Sequence, residues 1–442
     1  MKTEKTYACI DLKSFYASVE CVDRGLDPLK ENLVVADPDR TEKTICLAIT
    51  PSMKALGIKN RCRVFEIPQT VKYIMAKPRM KRYMEVSAKI YSIYLRFVSP
   101  QDIHVYSIDE CFIDATSYLA LYKMNARSFV NMLTDAVLKE TGICATAGIG
   151  TNLFLAKVAL DITAKHALDN IGFLNEESFK AEVWFHQPIT DIWNIGPGIA
   201  RRLAKYGTYD LAGVAGMRKE TLYKEFGVNA EYLIDHAWGQ EPCTIADIQS
   251  YKPEAKSMTN GQVLPCDYSF EEARMLLSEM VDESVLELVE LGLATSHISL
   301  HIGYVHDSAD KNDTEFFDGG HGKRTIGVRQ HHKHTGGTRK LEHVTHSKKF
   351  LLERFFLLYD QTTRKDIAIR RINIGFGDLV PEEYATYTLF DNTEAETKEH
   401  QLQEALVAVR GKFGKNAMLK GTSLQKKARA RERNEQIGGH HA

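Results

Sequence analysis

Apolar residues recur along the chain with two periods, and the changes between them divide it. Residues 5–12 hold an apolar run from Tyr7 to Ile10 closed by an aspartate, the pattern of a short buried strand. Residues 14–22 then read as a helix, 24–42 as loop, 44–49 as a second β-rich run, and Pro51 opens a helical turn ending near Gly57. Over 83–98 the apolar positions Val86, Ile90, Ile93 and Phe97 fall at helical spacing. The stretch 102–116 reads as a hairpin, with strands at 104–107 and 111–115 around a tight acidic turn. A helix at 127–141, a strand at 144–151 and a helix at 152–166 follow without regular βαβ repetition, which predicts an α+β domain. From 186 to about 240 the pattern is helical, punctuated by Pro188, Gly196, Pro197 and Gly198. Residues 246–256 carry few apolar side chains and read as a linker. Beyond them, strands at 262–264, 297–305, 325–332 and 367–376 and helices at 270–291 and 345–361 give the order βαββαβ, a sheet with helices on one face. The last 65 residues, 378–442, are weakly patterned and read as a partly mobile tail.

Composition narrows the class. Of the 442 residues 44% are hydrophobic and 26% charged, which excludes a disordered chain or a collagen. No apolar run reaches the ~20 residues that span a bilayer, and the opening residues lack a signal-peptide core, so a cytoplasmic protein without membrane partners is expected. Eight scattered cysteines with no CxxC pair read as reduced thiols. Net charge is only −1, yet residues 321–371 carry +9 and residues 398–442 carry +6, leaving −16 on the rest. That separation points to a polyanionic partner.

Three acids stand out. Asp11 closes the first strand, and Asp109 and Glu110 sit at the hairpin tip. Carboxylates at strand ends can converge on two divalent cations, although an Asp-Glu turn is equally at home in solvent. Gly196 and Gly198 open a helix and would let its amides approach a phosphate, or simply make a turn between helices. The run His331-His332-Lys333-His334 lacks an acidic or cysteine complement for a metal.

Taken together, Asp11-Leu12-Lys13-Ser14-Phe15-Tyr16-Ala17-Ser18-Val19-Glu20, Tyr106-Ser107-Ile108-Asp109-Glu110, Phe154-Leu155-Ala156-Lys157 and Ile195-Gly196-Pro197-Gly198 resemble, in order and spacing, the Y-family of translesion DNA polymerases. The segment Ala55-Leu56-Gly57-Ile58-Lys59 is most similar to its UmuC-like branch. The resemblance implies a right-hand polymerase. Its palm would be 1–23 with 83–185, its small fingers 24–82, its thumb with a helix-hairpin-helix 186–245, and its little finger 257–377. Asp11, Asp109, Glu110 and the Leu12 carbonyl would hold two Mg2+ ions. Phe15 and Tyr16 would form the sugar pocket, Tyr16 as the steric gate against a ribose. Lys54 and Lys165 would meet the dNTP triphosphate. Here the chain departs from the family, with Pro51 and Lys54 where many members carry a tyrosine and an arginine, and with Lys165 one residue beyond the expected spacing from Lys157. Gly196, Gly198, Arg329, Lys333, Arg339 and Lys340 would contact primer-template DNA, and the short side chains Ala48, Thr50 and Ser52 suggest a roomy nascent-pair site. Leu389 and Phe390 resemble the anchor of a sliding-clamp peptide, with Thr386 where a glutamine is usual, and a regulatory accessory protein is a further implied partner. The implied function is low-fidelity synthesis past damaged bases. A non-catalytic scaffold that recruits others to the clamp is the alternative, disfavoured by the three intact acids.

Overall fold

The computed structural model describes residues 5–39, 41–252, 257–305, 314–317, 327–330, 334–386 and 392–441. It divides into two units, Met1–Lys252 with Ile437–Ala442, and Pro253–Gln436. Among the described residues no helix is long and apolar enough to cross a membrane.

The first unit opens with β1 (Tyr7–Leu12), α1 (Phe15–Val22), β2 (Leu33–Val35), β3 (Ala48–Ile49), α2 (Pro51–Ala55), β4 (Ile74–Ala76) and α3 (Met80–Tyr94). It continues through β5 (Ile103–Val105), β6 (Glu110–Asp114), α4 (Thr116–Tyr122), α5 (Ala126–Thr141), β7 (Ala145–Gly150), α6 (Leu153–Asp161), β8 (Ile171–Leu174) and α7 (Glu176–Glu182). The main sheet has the order β5-β6-β1-β7-β8, with β1 antiparallel to both neighbours. Both faces of β1 are covered, which is why its sequence is an apolar run. Ala8, Ile10 and Leu12 join the core formed with α3 and α5, while Tyr7 and Cys9 pack towards α6 with Phe112, Leu153, Ala156 and Leu160. Glycines make the second packing possible. A Cβ on Gly148 would lie 2.1 Å from the Ala156 oxygen and the Leu160 nitrogen, and one on Gly150 would lie 2.2 Å from the Ala156 nitrogen. The backbone of α6 therefore rests directly on β7.

The strands β3-β2-β4 form a small separate sheet over a core of Val34, Ala36, Cys46, Ile49, Met53, Ile58, Cys62 and Ile67. After α7 come four short helices, α8 (Pro197–Ala204), α9 (Leu211–Gly216), α10 (Lys219–Phe226) and α11 (Ala230–Ala237), as the Gly/Pro punctuation predicts. The linker reading needs correction. Residues Ile245–Ser250 form α12, capped by Thr244 and Asp247 in a reciprocal box. Ile245 is buried and Gln249 donates to the carbonyls of Pro100 and Ile103 at 3.2 and 3.0 Å. Two apolar residues three apart suffice for a helix lying on a pre-existing surface.

The second unit contains β9 (Ser257–Tyr268), α13 (Phe270–Glu290), β10 (Leu293–Tyr304), β11 (Thr314–Phe317), β12 (Gly327–Gln330), β13 (His334–Thr345), α14 (Lys348–Thr362), β14 (Ile369–Gly377) and β15 (Val380–Pro381). Its sheet runs β13-β10-β14-β9 with β15 beside β10, and the βαββαβ order holds. The third strand is displaced from the sequence reading. Residues Gly327–Gln330 pair only with β11, and the sheet strand is His334–Thr345. As an edge strand with one neighbour in the sheet it tolerates a polar sequence. It also requires Gly336, at φ 126°, where a Cβ would meet the Leu300 oxygen at 2.0 Å.

The tail also departs from expectation. It forms α15 (Thr393–Phe413) and α16 (Ala430–Asn434), and the segment packs along α13. Arg410 and Lys427 reach Glu283 and Glu272 at 2.6 and 2.7 Å, Lys420 pairs with Asp282, and the Arg429 amide donates to Glu279 at 2.9 Å. Charge pairing, not apolar periodicity, organises this region.

Replacing Gly148 with alanine should lower stability by about 1–3 kcal/mol through forced separation of α6 from β7. Gly216→Ala, whose Cβ would meet nothing within 4 Å, should leave it unchanged. Thermal melting of the two variants checks this; equal midpoints would refute the close-packing account.

Candidate active site

Strand alternation assembles the carboxylates. Residues 7, 9 and 11 of β1 share one face, as do 110 and 112 of β6, and Asp11 lies directly opposite Glu110. The Leu12 amide donates to the Asp109 carbonyl at 2.9 Å, tying the strand end to the hairpin tip. The Tyr106 and Ser107 amides close that tip on the Glu110 carbonyl at 2.9 and 3.0 Å. The Ser107 hydroxyl donates to the Asp109 carboxylate at 2.7 Å.

The same face looks towards α6, where Lys157 reaches Glu110 at 2.8 Å and Asp161 at 3.0 Å. The Cys9 thiol donates to Glu110 at 3.1 Å, its pKa pushed far up by burial and then by the Glu110 charge. Burial works against the Lys157 ammonium, but Asp161 and Glu110 outweigh it and raise its pKa. Asp11 has no such partner. Burial, then the charges of Asp109 and Glu110, raise its pKa from 3.8 to about 7.

Among the described residues no three His, Cys, Asp or Glu side chains stand as a preformed metal cage. The donor chemistry nonetheless fits a hard divalent cation. Asp11, Asp109 and Glu110 offer oxygens only, and a cation beside Asp11 would reverse the repulsion that now favours its neutral form.

Tyr16 stands near this group, since the Asp109 charge adds to the effect of burial in raising its phenol pKa, with Arg61 opposing. Phe15 is buried in the core beneath it, ring centroids 5.9 Å apart. Lys54 lies in α2 on the surface; the surrounding protein lowers its pKa and the charge of Asp11 partly restores it, which places the two groups close together. Lys165 is exposed in the turn Thr163–His166, and no contact among the described residues ties it to the carboxylates. Of the small residues 48, 50 and 52, only Ser52 is part-exposed, and its hydroxyl donates to the Glu31 carbonyl. Ala48 and Thr50 are buried, and Thr50 accepts from the Leu33 amide at 3.1 Å. Three partners escaped the sequence reading as such: Lys157, Asp161 and Arg61. Lys157 left a signal, a lysine inside an otherwise apolar helix, which must find a counter-charge.

Gly196 caps α8 with an ordinary φ of −83°, and a Cβ on Gly196 or Gly198 would meet nothing within 4 Å. Packing does not demand glycine there, and the bare peptide edges are free for an anion. In the second unit Arg339 and Lys340 fall on opposite sides of β13. Lys340 is opposite His297 on the face away from the helices, while Arg339 is opposite buried Ile298 and bonds Gln361 of α14. His301, Arg371 and Asn373 share the Lys340 face by register. Arg329 belongs to β12 by its backbone; its side chain, Lys333, Leu389 and Phe390 lie outside the described residues.

Known proteins resemble this chain along most of its length. The impB/mucB/samB family matches residues 10–161, and the C-terminal domain of the same family matches 255–389. UvrX of Bacillus subtilis (strain 168), a protein named for UV-damage repair, is 29% identical over 99% of this chain and 97% of its own length. A protein named DNA polymerase IV 2 from Halalkalibacterium halodurans is 27% identical over 99% of this chain and all of its own. A DNA repair protein homolog, YozK of Bacillus subtilis, is 41% identical over 23% of this chain and 89% of its own. In fold, a Y-family DNA polymerase chimera superposes with a TM-score of 0.58 at 19% identity, covering 85% of this chain and 99% of that one. The chain therefore belongs to the impB/mucB/samB family, the UmuC-like branch of the Y-family polymerases.

Proposed function

We propose that this protein is a template-directed DNA polymerase that extends primers past damaged bases with low fidelity. The observation that carries the reading is the register-fixed group Asp11, Asp109 and Glu110 with Tyr16 and Lys54 beside it. In this reading the main sheet with α1, α3, α5 and α6 is the palm, the small sheet the fingers, α8–α11 the thumb and the second unit the little finger.

Asp11, Asp109, Glu110 and the Leu12 carbonyl would hold two divalent cations, Mg2+ by donor type. Bound there, they supply charge neutralisation for the triphosphate and a lowered pKa for the primer 3′-hydroxyl. The protein's own groups do the rest. Lys157 neutralises Glu110 and, through Asp161, stays charged in a buried place. Ser107 fixes the Asp109 carboxylate. Lys54 and Arg61 bring positive charge to the nucleotide side, where a triphosphate takes point charges readily. The Tyr16 ring sets the floor under the sugar. The open amides at Gly196 and Gly198, with Lys340 and Arg371 on the sheet face, would hold DNA through its phosphates and confer salt-dependent affinity. Leu389 and Phe390 would anchor the chain to a sliding clamp, with an accessory protein as a further partner. The scaffold alternative finds no supporting feature.

Asp109→Ala should cut primer extension by about 10²–10³-fold or more while primer-template affinity is retained; undiminished extension would remove the site assignment. Tyr16→Ala should raise ribonucleotide insertion by about 10²-fold, read as the ratio of kcat/KM for a matched dNTP and rNTP. An unchanged ratio means that Tyr16 is not the gate. The raised pKa of Asp11 also has a sign. Between its ordinary 3.8 and about 7 the folded protein holds a proton that the unfolded chain releases, so stability falls as pH rises through that window. In the metal-free protein Asp11→Asn should therefore raise Tm more at about pH 8 than at about pH 4.5. A gain independent of pH would show that neither burial nor its neighbours raise the Asp11 pKa.

A further inference from the structure

A sugar-sensing ring discriminates only if it cannot yield, because a retreat of about 1 Å readmits the excluded hydroxyl. Tyr16 belongs to the first turn of α1, and that turn is poorly secured at its start. Its capping residue Ser14 adopts left-handed φ 49°, makes no side-chain cap bond, and has a buried hydroxyl with no hydrogen-bond partner among the described residues. The ring must be held from elsewhere.

It is held by Tyr83 of α3. The Tyr16 and Tyr83 rings stack with centroids 4.5 Å apart and planes 16° from parallel. Tyr83 is fully buried, and its hydroxyl donates to Glu20 Oε1 at 2.8 Å. Glu20 is also fully buried and lies one helical turn after Tyr16 on α1. It accepts from Arg79 Nε at 2.9 Å and pairs with Arg24. Arg79 in turn reaches Asp23 at 2.8 Å, and Asp23 takes two bonds from Arg82 at 3.0 and 2.8 Å.

These contacts close a ring through α1. Tyr16 and Glu20 grip Tyr83 at both ends, one by its face and one by its hydroxyl. Tyr83 cannot turn without breaking its bond to a buried carboxylate, and Tyr16 cannot move towards α3 without displacing Tyr83. The guanidinium groups of Arg79 and Arg24 both bond the Glu20 carboxylate and hold it in place.

We propose that Tyr83, anchored by Glu20, is a positioning residue for sugar discrimination, a role that rests on Tyr16 being the steric gate. The flat face of Tyr83 sets how deep the gate sits, and its loss lets the Tyr16 ring retreat.

The test is single-nucleotide insertion by the intact protein on a primer-template with Mg2+, using each matched dNTP and rNTP, for the wild type, Tyr83→Leu, Tyr83→Phe and Tyr16→Ala. Tyr83→Leu keeps apolar volume but removes the flat face. It should lower the dNTP-to-rNTP ratio of kcat/KM about tenfold, through a gain for rNTP. Tyr83→Phe keeps the stack but loses the Glu20 bond, and its ratio should fall between those of Tyr83→Leu and the wild type. If Tyr83→Leu does not fold, Tyr83→Met carries the same expectation. Wild-type discrimination in the folded variant, or equal losses for both sugars, overturns the proposal while a collapsed ratio in Tyr16→Ala keeps the gate. An unchanged ratio in Tyr16→Ala removes the gate itself.

Discussion

The site depends on one backbone pairing, Asp11 of β1 opposite Glu110 of β6. Because strand side chains alternate, that register alone sends both carboxylates to the α6 face, and a slip of one residue would bury them among Ile10 and Cys111 in the opposite core. The register is secured on three sides. Phe112 and Cys9 pack into the α6 layer, β7 pairs along the other edge of β1, and the Leu12 amide binds the Asp109 carbonyl. The glycines of β7 then let α6 come close enough for Lys157 to meet Glu110. Geometry and electrostatics are thus one constraint: the pairing that gathers the acids also faces them towards Lys157, which partly compensates them.

That compensation is unequal. Glu110 has Lys157 and the Cys9 thiol and Asp109 has the Ser107 hydroxyl, whereas on Asp11 burial and the charges of Asp109 and Glu110 outweigh the pull of Lys157. A purely structural cluster would pair each buried acid, since unpaired buried charge is costly. Leaving one acid without a bonded partner is reasonable where an external cation completes the set; burial, then the charges of Asp109 and Glu110, push the Asp11 pKa up to about 7.

Much of this was legible because the signals were local. The apolar run of β1, the hairpin around Asp109 and the 3.6-residue period of α3 each fit within fifteen residues. What was not legible depended on distant partners. The strand β13 offers Leu341 as its single buried large apolar side chain, and its place is set by β10 and a glycine approach. Helix α15 buries only Gln403 and is held by Arg410 on Glu283 of α13 and by Glu399 at the start of α14, partners distant in sequence. Arg339 and Lys340 are neighbours in sequence yet face opposite ways, which charge counting cannot separate. Tyr83 was likewise hidden: nothing in its own helix marks it apart from other core aromatics, and its role emerges only from the ring of Tyr16 and the carboxylate of Glu20.

The two sides of the site are built on unequal foundations. The carboxylates and Tyr16 stand on the main sheet and α1, whose core runs from Ala8 to Ile171 and includes seven α5 and α3 side chains under 3% exposed, among them Phe129, Leu133 and Ile90. Lys54 and Arg61 stand on α2 and the loop after it, beside a core of eight buried residues, while the other face of the three-stranded sheet joins the large core through Leu33, Val35, Ala48 and Ala76. Burial sets the free energy of local opening, so the segment carrying Lys54 and Arg61, which we propose face the nucleotide, is the less costly one to displace. A polymerase must hold its reacting oxygens and its sugar gate rigidly but admit and release a triphosphate at each step. The distribution of buried area matches that division, with the fixed geometry on the large core and the exchangeable contacts on the small one.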